Sequence, residues 1–424
     1  MIKETRQITP WADKSDSDPL HALCSYLGAF PPSLARYFIK YFTDQNDLVF
    51  DPFSGRGTTI LESRILNRNS FGSDLNPIAL ALSKSKSYKL VKVDIINRID
   101  ELENDYDYAL YLPEAQSESD EIHLIFHQAT IAQLCYLKDI LLTSKSDVDN
   151  FLIGAILGIM HGSVRKDGTS GYLSISMPNT FSMSPEYVRR FVQTKELNRV
   201  KRNVFDILKE KVERIFSKHI SPSKKSYIFE CDAKEISKSK ELNKYQGKVD
   251  LLLTSPPYLG IVNYAKQNWI RSWFLDSDPI EISEKLDDDL NINQWVQFSK
   301  KTLFEFKKML KPDGVAVFVI GDVAKSKNSV IPLARDFSLM IKQNKLFKNV
   351  WVFSDYIEGV DKTTRIWGET RGKATATDRI VILSDINPFE NNNRINGKSL
   401  LTYKLIQEST KHFMGDSLKV KTNE

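Results

Sequence analysis

Short apolar runs alternate with longer amphipathic stretches in the first 90 residues and again from about residue 227 to 385. The apolar runs lack regular polar positions, as in strands that are buried on both faces of a sheet. The amphipathic stretches repeat their apolar residues three and four positions apart, as in helices that cover a sheet. The pattern predicts about seven strands with helices between them, and therefore a doubly wound α/β sheet that binds ligands at the carboxyl ends of its strands.

Residues 91–226 interrupt this alternation. Helical spacing dominates there, at 91–106, 122–142, 148–161 and, with many basic residues, at 187–225. Crossovers between parallel strands are usually much shorter, so we predict an inserted, mostly helical subdomain. The predicted organisation is a catalytic domain in two parts, residues 1–90 and 227–388, the insert at 91–226, and a polar tail at 389–424.

Composition restricts the class of protein. The 424 residues have a net charge of +5, which permits a polyanionic partner without requiring one. Three cysteines without CxxC spacing predict no zinc site and no disulfide framework, and hence a reducing compartment such as the cytoplasm. We therefore expect no metal. We also expect no membrane partner, because no signal-peptide pattern opens the chain and no apolar run reaches the roughly 20 residues that span a bilayer.

A glycine loop follows the first predicted strand. Gly55 and Gly57 lie between that strand and a helix, where bare backbone lets a ligand approach the positive end of the helix. The third glycine of the dinucleotide pattern is missing, so a diphosphate is not the obvious ligand. Asp74, at the end of the next strand, is placed to bind ribose hydroxyls, and Asp232, after the third, to accept from an adenine amino group. S-adenosylmethionine fits these residues taken together. Taken singly, the glycines are explained equally well by a tight turn, and Asp74 by a helix cap.

The sequence TSPPY, at 254–258, ends another apolar run. Proline cannot extend a central strand, so the chain leaves the sheet there in a stiff turn. The Ser255 hydroxyl and the Pro256 carbonyl then become fixed acceptors beside the ring of Tyr258, which suits a flat ring that bears an amine. The alternative is a strand-terminating turn with a packed tyrosine.

Three segments, DPFSGRGTT at 51–59, SDLNP at 73–77 and TSPPY at 254–258, resemble the motifs of the DNA amino-methyltransferases that act on N4 of cytosine or N6 of adenine. The resemblance implies a Rossmann-like seven-stranded methyltransferase sheet with the last strand antiparallel, and S-adenosylmethionine as cofactor. It implies a catalytic turn formed by Ser255, Pro256, Pro257 and Tyr258. It implies cofactor contacts at Phe30, Asp51, Phe53, Gly55, Gly57, Thr58, Asp74, Asp232 and Thr254.

The resemblance also implies a reaction, the direct in-line transfer of a methyl group to an exocyclic amine of a base flipped out of double-stranded DNA. Ser255 favours N4 of cytosine, since adenine enzymes often carry Asp or Asn there. The order of the motifs, with the cofactor motif first, is common among adenine enzymes and keeps N6-adenine methylation open. An RNA amino-methyltransferase and a non-catalytic DNA-recognition subunit are less favoured. A bacterial or phage restriction-modification setting with a cognate endonuclease is a family-level expectation.

Basic and amide side chains of the insert are the predicted DNA contacts, because they offer donors to phosphates and base edges. These candidates are Arg165, Lys166, Asn179, Arg189 and Arg190, with Lys266 beyond the catalytic turn. Acidic residues interleave with the basic ones, so a solvated helical face is the alternative. Asn263, Tyr264 and Trp269 are candidates for the base pocket, and 363–377 is a further candidate DNA loop.

Overall fold

The structure, a computed structural model, describes residue 11 and residues 17–389, except 196, 220, 260–263, 288, 327–328 and 357–372. The predicted polar tail beyond Phe389 lies outside these residues, as do Asn263 and most of the candidate DNA loop at 363–377. Among the described residues, no helix is both long and apolar enough to span a bilayer.

The strands are β1 (Leu48–Asp51), β2 (Asn69–Asp74), β3 (Ser226–Glu230), β4 (Val249–Thr254), β5 (Leu310–Ser326), β6 (Ser329–Ile331), β7 (Asn349–Tyr356) and β8 (Lys373–Ser384). They form one sheet in the order β3-β2-β1-β4-β5-β8-β7, with β6 paired to β5 beside this path. Strands β1 to β5 are parallel, and β8 is antiparallel to both β5 and β7. The predicted Rossmann-like methyltransferase sheet with an antiparallel last strand is confirmed, and β6 is a short addition.

The helices outside the predicted insert are α1 (Pro32–Phe42), α2 (Thr58–Ile65), α3 (Pro77–Lys84), α11 (Trp269–Phe274), α12 (Pro279–Lys285), α13 (Ile292–Met309) and α14 (Leu333–Gln343). Between α3 and β3 lie α4 (Lys92–Asn104), α5 (Tyr108–Ser117), α6 (Asp120–Ile125), α7 (Gln128–Leu142), α8 (Asp147–Leu157), α9 (Pro185–Lys195) and α10 (Val204–Phe216). Residues 92–216 are called the helical segment below.

Two helices expected to be continuous are divided. The stretch predicted at 122–142 is broken after α6, because His127 accepts a hydrogen bond from the Ala129 N–H and starts α7 there. The basic stretch predicted at 187–225 consists of α9 and α10, and the side chain of Asn203 caps the second by accepting from the Phe205 N–H. Capping side chains thus begin new helices within stretches whose apolar spacing is continuous.

Apolar side chains cover both faces of the sheet. Leu251 and Leu253 of β4 pack in one cluster with α1, whereas Leu252 packs in another with α13 and α14, since successive strand residues face opposite sides. A third cluster lies within the helical segment and includes residues of α3 and of α11. The helical segment therefore packs directly on elements that flank the carboxyl edge of the sheet.

Candidate active site

A pocket lies at the carboxyl ends of β1, β2 and β4, where the strand order reverses and ligands of open α/β sheets usually bind. Most of the residues predicted from the sequence line it: Phe30, Asp51, Phe53, Gly55, Thr58, Asp74, Asp232, Ser255, Pro256, Pro257 and Tyr258. The structure therefore brings the predicted cofactor and catalytic residues together in one cavity.

Asp51, the last residue of β1, is buried in the pocket wall. One of its carboxylate oxygens lies 2.6 Å from the hydroxyl of Thr254 and 3.2 Å from the backbone nitrogen of Phe53, and both groups donate to it. Burial raises the pKa of Asp51 to about 6, although these hydrogen bonds act in the opposite direction. Thr254 itself does not line the pocket. Its hydroxyl instead contacts Asp51, and the direct cofactor contact expected at Thr254 stays a prediction.

Asp74, at the end of β2, joins the glycine loop to the next helix. Its carboxylate accepts from the backbone N–H of Gly55 at 2.9 Å and from that of Asn76 at 3.0 Å. Burial raises the pKa of Asp74 to about 6, again against the effect of these hydrogen bonds. The side chain is thereby held at the wall of the pocket with lone pairs left over for a ligand.

The two loop glycines have different roles. Both have positive φ, 51° at Gly55 and 77° at Gly57, a conformation that favours glycine. Only Gly55 lines the pocket. A Cβ on Gly57 would lie 3.0 Å from the Cα of Ser83, so this glycine permits the close approach of α3. Gly57 thus packs against α3 outside the pocket lining, and the cofactor contact expected there stays a prediction.

One end of the pocket is closed by residues that sequence reasoning missed. Asp287 and Phe298, from the chain around the start of α13, line this end together with Asp232. The ammonium of Lys234 lies 2.6 Å from the carboxylate of Asp287 and 3.4 Å from that of Asp232. Phe298 belongs to the apolar side of an amphipathic helix, and nothing in its spacing distinguishes a pocket residue from a core residue.

The catalytic turn is held by strand β5 and helix α13. The Ser255 hydroxyl donates to the carbonyl of Val319 at 2.9 Å, and the hydroxyl of Tyr258 lies 2.9 Å from that of Ser255 and 3.1 Å from the same carbonyl. Burial raises the pKa of the Tyr258 hydroxyl above its ordinary value. The indole N–H of Trp295 donates to the carbonyl of Pro257 at 2.7 Å.

The Pro256 carbonyl differs from these anchored groups. It accepts no hydrogen bond from the residues that the structure describes, although the residue lines the pocket. With the Ser255 proton directed at Val319, the remaining lone pairs of Ser255 and the Pro256 carbonyl are two acceptors in the same wall.

Two tyrosines form the wall between the cofactor motif and the catalytic turn. The rings of Tyr26 and Tyr264 stack with centroids 5.7 Å apart, and both line the pocket. The hydroxyl of Tyr26 accepts from the side-chain amide of Asn76 at 3.0 Å. Gly28 has a φ of 78°, and a Cβ there would lie 2.4 Å from the Tyr264 hydroxyl, so the chain needs glycine at this contact. Tyr26 carries no motif, and sequence reasoning missed it.

The predicted DNA contacts and Trp269 lie outside the pocket lining. Arg165, Lys166, Arg190 and Lys266 are exposed, and Arg189 forms an ion pair with Glu121 at 3.0 Å. The Asn179 side chain donates to the Tyr172 hydroxyl at 3.0 Å, and the Trp269 indole N–H donates to the carbonyl of Met183 at 2.7 Å. Trp269 thus joins α11 to the helical segment and is not a wall of the base pocket.

The charge of the wall indicates the kind of ligand. Four carboxylates line the pocket, those of Asp51, Asp74, Asp232 and Asp287, against one basic side chain, that of Arg56. Lys234 is paired with Asp232 and Asp287, so the excess negative charge comes from Asp51 and Asp74, whose ionised carboxylates repel phosphates and attract a cation. S-adenosylmethionine carries a sulfonium, an ammonium and ribose hydroxyls, so the residues present fit this cofactor.

Comparison with known proteins gives a family and two curated relatives. A sequence model of the N6/N4 methyltransferase type, described as DNA methylase, matches residues 4–85 and 249–408. The chain is 29% identical over 97 residues to the Type II methyltransferase M.MjaII of Methanocaldococcus jannaschii, which covers 21% of this chain and 18% of that protein. It is 26% identical over 300 residues to the Type II methyltransferase M.BsoBI of Geobacillus stearothermophilus, which covers 64% of this chain and 55% of that protein. The chain therefore spans about half the length, or less, of these relatives.

Among solved structures, the rRNA methyltransferase aviRa from Streptomyces viridochromogenes aligns with 89% of this chain and 97% of its own at 11% identity, with a TM-score of 0.33. The fold assignment rests on the strand order instead. S-adenosylmethionine is the methyl donor of DNA methylases. The family match exceeds half of the chain and includes the segments that carry the glycine loop and the catalytic turn. The chain therefore belongs to the DNA methylase family of the N6/N4 methyltransferase type.

Proposed function

We propose that the chain is a site-specific DNA methyltransferase that transfers a methyl group from S-adenosylmethionine to the exocyclic N4 of cytosine. The observation that carries this proposal is the hydrogen bond of 2.6 Å between Asp51 and Thr254, the residue before Ser255. It joins an acidic pocket suited to a sulfonium directly to a turn that presents acceptors for an amine.

The cofactor half of the site, which contains Asp51, Asp74 and Asp232, binds and orients S-adenosylmethionine. Asp74 offers its remaining lone pairs to the ribose hydroxyls, and Asp232 offers its carboxylate to the adenine amino group. The ionised Asp51 and Asp74 attract positive charge, while the stacked rings of Tyr26 and Tyr264 exclude water from one side. When bound, the cofactor supplies a sulfonium methyl group that is already activated for transfer.

The catalytic half orients the acceptor amine. An exocyclic amine is a poor nucleophile because its lone pair is delocalised into the ring. The Ser255 hydroxyl and the Pro256 carbonyl accept its two N–H groups, which favours a pyramidal nitrogen with its lone pair directed at the methyl group. As the N–C bond forms, the C–S bond of the donor breaks, and the methylated nitrogen then releases one proton to solvent. Holding the reacting atoms in line supplies most of the rate gain, and no covalent enzyme intermediate is needed. The ring of Tyr258 provides a face for the base, which must leave the duplex to reach the pocket.

Methylation of N6 of adenine is the second candidate, and one observation favours it. The glycine loop precedes the catalytic turn in this chain, an order common among adenine enzymes. The neutral hydroxyl of Ser255, where adenine enzymes often carry an amide or a carboxylate, favours cytosine. Both reactions use the same acceptors in the same way, so the geometry of the turn serves either base.

Double-stranded DNA is the proposed substrate, and the exposed side chains of Arg165, Lys166 and Arg190 are proposed phosphate contacts. Both curated relatives are named Type II methyltransferases, which supports a restriction-modification setting with a cognate endonuclease.

Incubation of the full chain with methyl-tritiated S-adenosylmethionine and unmethylated genomic DNA tests the proposal. We expect label in the duplex DNA and none in total RNA offered at equal mass, with heat-inactivated protein as the control. Label confined to RNA would replace DNA by RNA as the substrate. Binding of the cofactor without label in either nucleic acid would indicate a non-catalytic recognition subunit.

A further inference from the structure

A fully buried arginine on α11 connects the helical segment to the catalytic half of the pocket. Arg271 is 1% exposed, and its guanidinium donates to three acceptors on different parts of the chain. They are the carbonyl of Leu157 at 3.1 Å, the carbonyl of Asn179 at 3.0 Å and the side-chain oxygen of Asn268 at 2.7 Å. The first lies at the end of α8, and the second belongs to Asn179, whose side chain is one of the predicted DNA contacts.

Asn268 links Arg271 to a residue of the pocket wall. It is 1% exposed, and its side-chain amide donates to the carbonyl of Tyr264 at 2.8 Å. Arginine only donates and a carbonyl only accepts, so the orientation of the Asn268 amide is dictated by its two partners. Asparagine is suited to this place because it offers one acceptor and one donor at the required separation.

Tyr264 is the last residue in the series of hydrogen bonds that runs from Arg271 through Asn268. Its ring lines the pocket and stacks on Tyr26, and its hydroxyl lies against Gly28. Two further hydrogen bonds fasten residues 264–269 to the helical segment. The backbone N–H of Ser182 donates to the carbonyl of Gln267 at 2.5 Å, and Trp269 donates to Met183.

We propose that Arg271 is a positioning residue that fastens the chain after the catalytic turn to the helical segment and, through Asn268, holds Tyr264 in the pocket wall. The inference rests on the proposed methyltransferase function and deepens it. Arg271 touches neither the pocket nor the reacting groups. It acts by fixing Tyr264 in the pocket wall relative to Asn179, a predicted DNA contact, so that the two keep one geometry.

The Asn268→Asp substitution separates positioning from folding. Aspartate keeps the acceptor for Arg271, with an opposite charge that strengthens this contact, but it cannot donate to the Tyr264 carbonyl and places an oxygen against it. We expect the thermal midpoint to fall less than in Arg271→Lys, because the contact with Arg271 is kept, while the dissociation constant for S-adenosylmethionine rises about tenfold, the effect of one hydrogen bond. Amide exchange at residues 264–269 should become faster.

Arg64 offers a matched control for Arg271→Lys. It is also a buried arginine, 2% exposed, and its guanidinium donates to the carbonyls of Lys86, Pro222 and Lys224, away from the pocket. Arg64→Lys should lower the thermal midpoint about as much as Arg271→Lys and leave the cofactor affinity unchanged, whereas Arg271→Lys should also weaken cofactor binding.

Cofactor titration, thermal unfolding and amide exchange are measured on the wild type and on Asn268→Asp, Arg271→Lys and Arg64→Lys. Together they decide whether Arg271 positions Tyr264. Wild-type affinity and wild-type exchange in Asn268→Asp would overturn the proposal, as would equal losses of affinity in the two arginine variants. If the wild-type chain bound no S-adenosylmethionine, the proposed function would fail, and the exchange of residues 264–269 in Asn268→Asp would still decide whether Asn268 positions Tyr264.

Discussion

The two halves of the pocket are held in different ways. In the cofactor half, Asp51 and Asp74 each accept a hydrogen bond from a backbone N–H two residues later, and their other donors, the Thr254 hydroxyl and the Gly55 N–H, belong to a neighbouring strand end and the glycine loop. In the catalytic half, Ser255 and Pro257 are anchored by Val319 and Trp295, which are far away in sequence. The cofactor half is therefore shaped by neighbouring strand ends and loops, whereas the catalytic half depends on how distant elements pack. This difference predicts that binding and transfer can be disrupted separately.

Replacing Ser255 should affect transfer alone, and it gives the largest expected effect. Ser255→Ala removes one of the two acceptors for the amine while leaving the acidic pocket unchanged. We expect kcat for methyl transfer to fall about 100-fold to 1000-fold, the usual effect of losing one preorganised hydrogen-bonding group. The dissociation constant for S-adenosylmethionine should not change.

Ser299→Ala is the matched control for this substitution. Ser299 lies on α13, is 2% exposed, and its hydroxyl has no hydrogen-bond partner among the described residues. Its loss should leave both kcat and cofactor affinity at wild-type values. A Ser255→Ala variant with wild-type kcat would show that the hydroxyl is only a structural link to β5.

Replacing Asp74 should affect binding first. Asp74→Ala removes the proposed ribose acceptor and leaves the backbone N–H groups of Gly55 and Asn76 without their partner. We expect the dissociation constant for S-adenosylmethionine to rise about 100-fold, since hydrogen bonds to a charged group contribute more than neutral ones. Asp74→Asn, which keeps one acceptor, should show an intermediate value by calorimetric titration. Unchanged affinity in Asp74→Ala would exclude this carboxylate from the cofactor site.

The pH dependence of the cofactor half follows from its buried acids. The pKa values of Asp51 and Asp74 rise from 3.8 to about 6 through burial. Between pH values of about 4 and 6 the folded chain therefore binds more protons than the unfolded chain, so the free energy of unfolding contributed by these groups falls as the pH rises through this window. Binding of a cation needs the ionised carboxylates. Below a pH of about 6 these carboxyls are protonated, so the affinity for S-adenosylmethionine should fall by up to about tenfold per pH unit for each carboxyl that must lose its proton on binding.

Calorimetric titrations of S-adenosylmethionine from pH 5 to 8 check this dependence. Ser255→Ala should show the same profile as wild type, because its acidic residues are intact, while Asp74→Asn should show a flatter one. A flat wild-type profile would contradict the role of the buried carboxylates in binding a cation.

Thr254→Val tests the junction of the two halves and has the smallest expected effect. The substitution keeps the shape of the side chain and removes the hydrogen bond to Asp51, so the pKa of Asp51 should rise further. At pH 8 the carboxylate stays ionised, and cofactor affinity should remain within about threefold of wild type. The pH midpoint of cofactor binding should move upward. An unchanged midpoint would show that Thr254 does not influence Asp51.

All four residues predicted for the catalytic turn line the pocket, and so do most of those predicted for the cofactor half. Asp51, Gly55 and Asp74 are adjacent to strand ends, and the parallel order of those strands brings them together without further information. Within that half, the exact partner of a motif residue still depended on tertiary packing. Gly57 contacts α3, and Thr254 supports Asp51 from behind the wall.

Residues without a motif could not be found from the sequence. Phe298 reaches the pocket because α13 packs on the sheet, and its spacing is that of any amphipathic helix, whereas Asp287 lies in the connection before α13 and belongs to no periodic pattern. The contact between Arg271 and Asn179 joins residues far apart along the chain, and neither residue type indicates the other. Periodicity predicts the direction of a side chain within an element, but the neighbours across elements follow from how those elements pack.

The identity of the methylated nucleoside tests the central claim most directly. DNA incubated with the wild-type chain and S-adenosylmethionine is digested to nucleosides and measured by mass spectrometry, with Ser255→Ala in parallel. We predict N4-methylcytosine in the wild-type reaction and at least about 100-fold less in the Ser255→Ala reaction. N6-methyladenine would keep the mechanism and change the base. Methylation at carbon 5 of cytosine would contradict direct transfer to an exocyclic amine, because that position needs a covalent nucleophile that the catalytic turn does not provide.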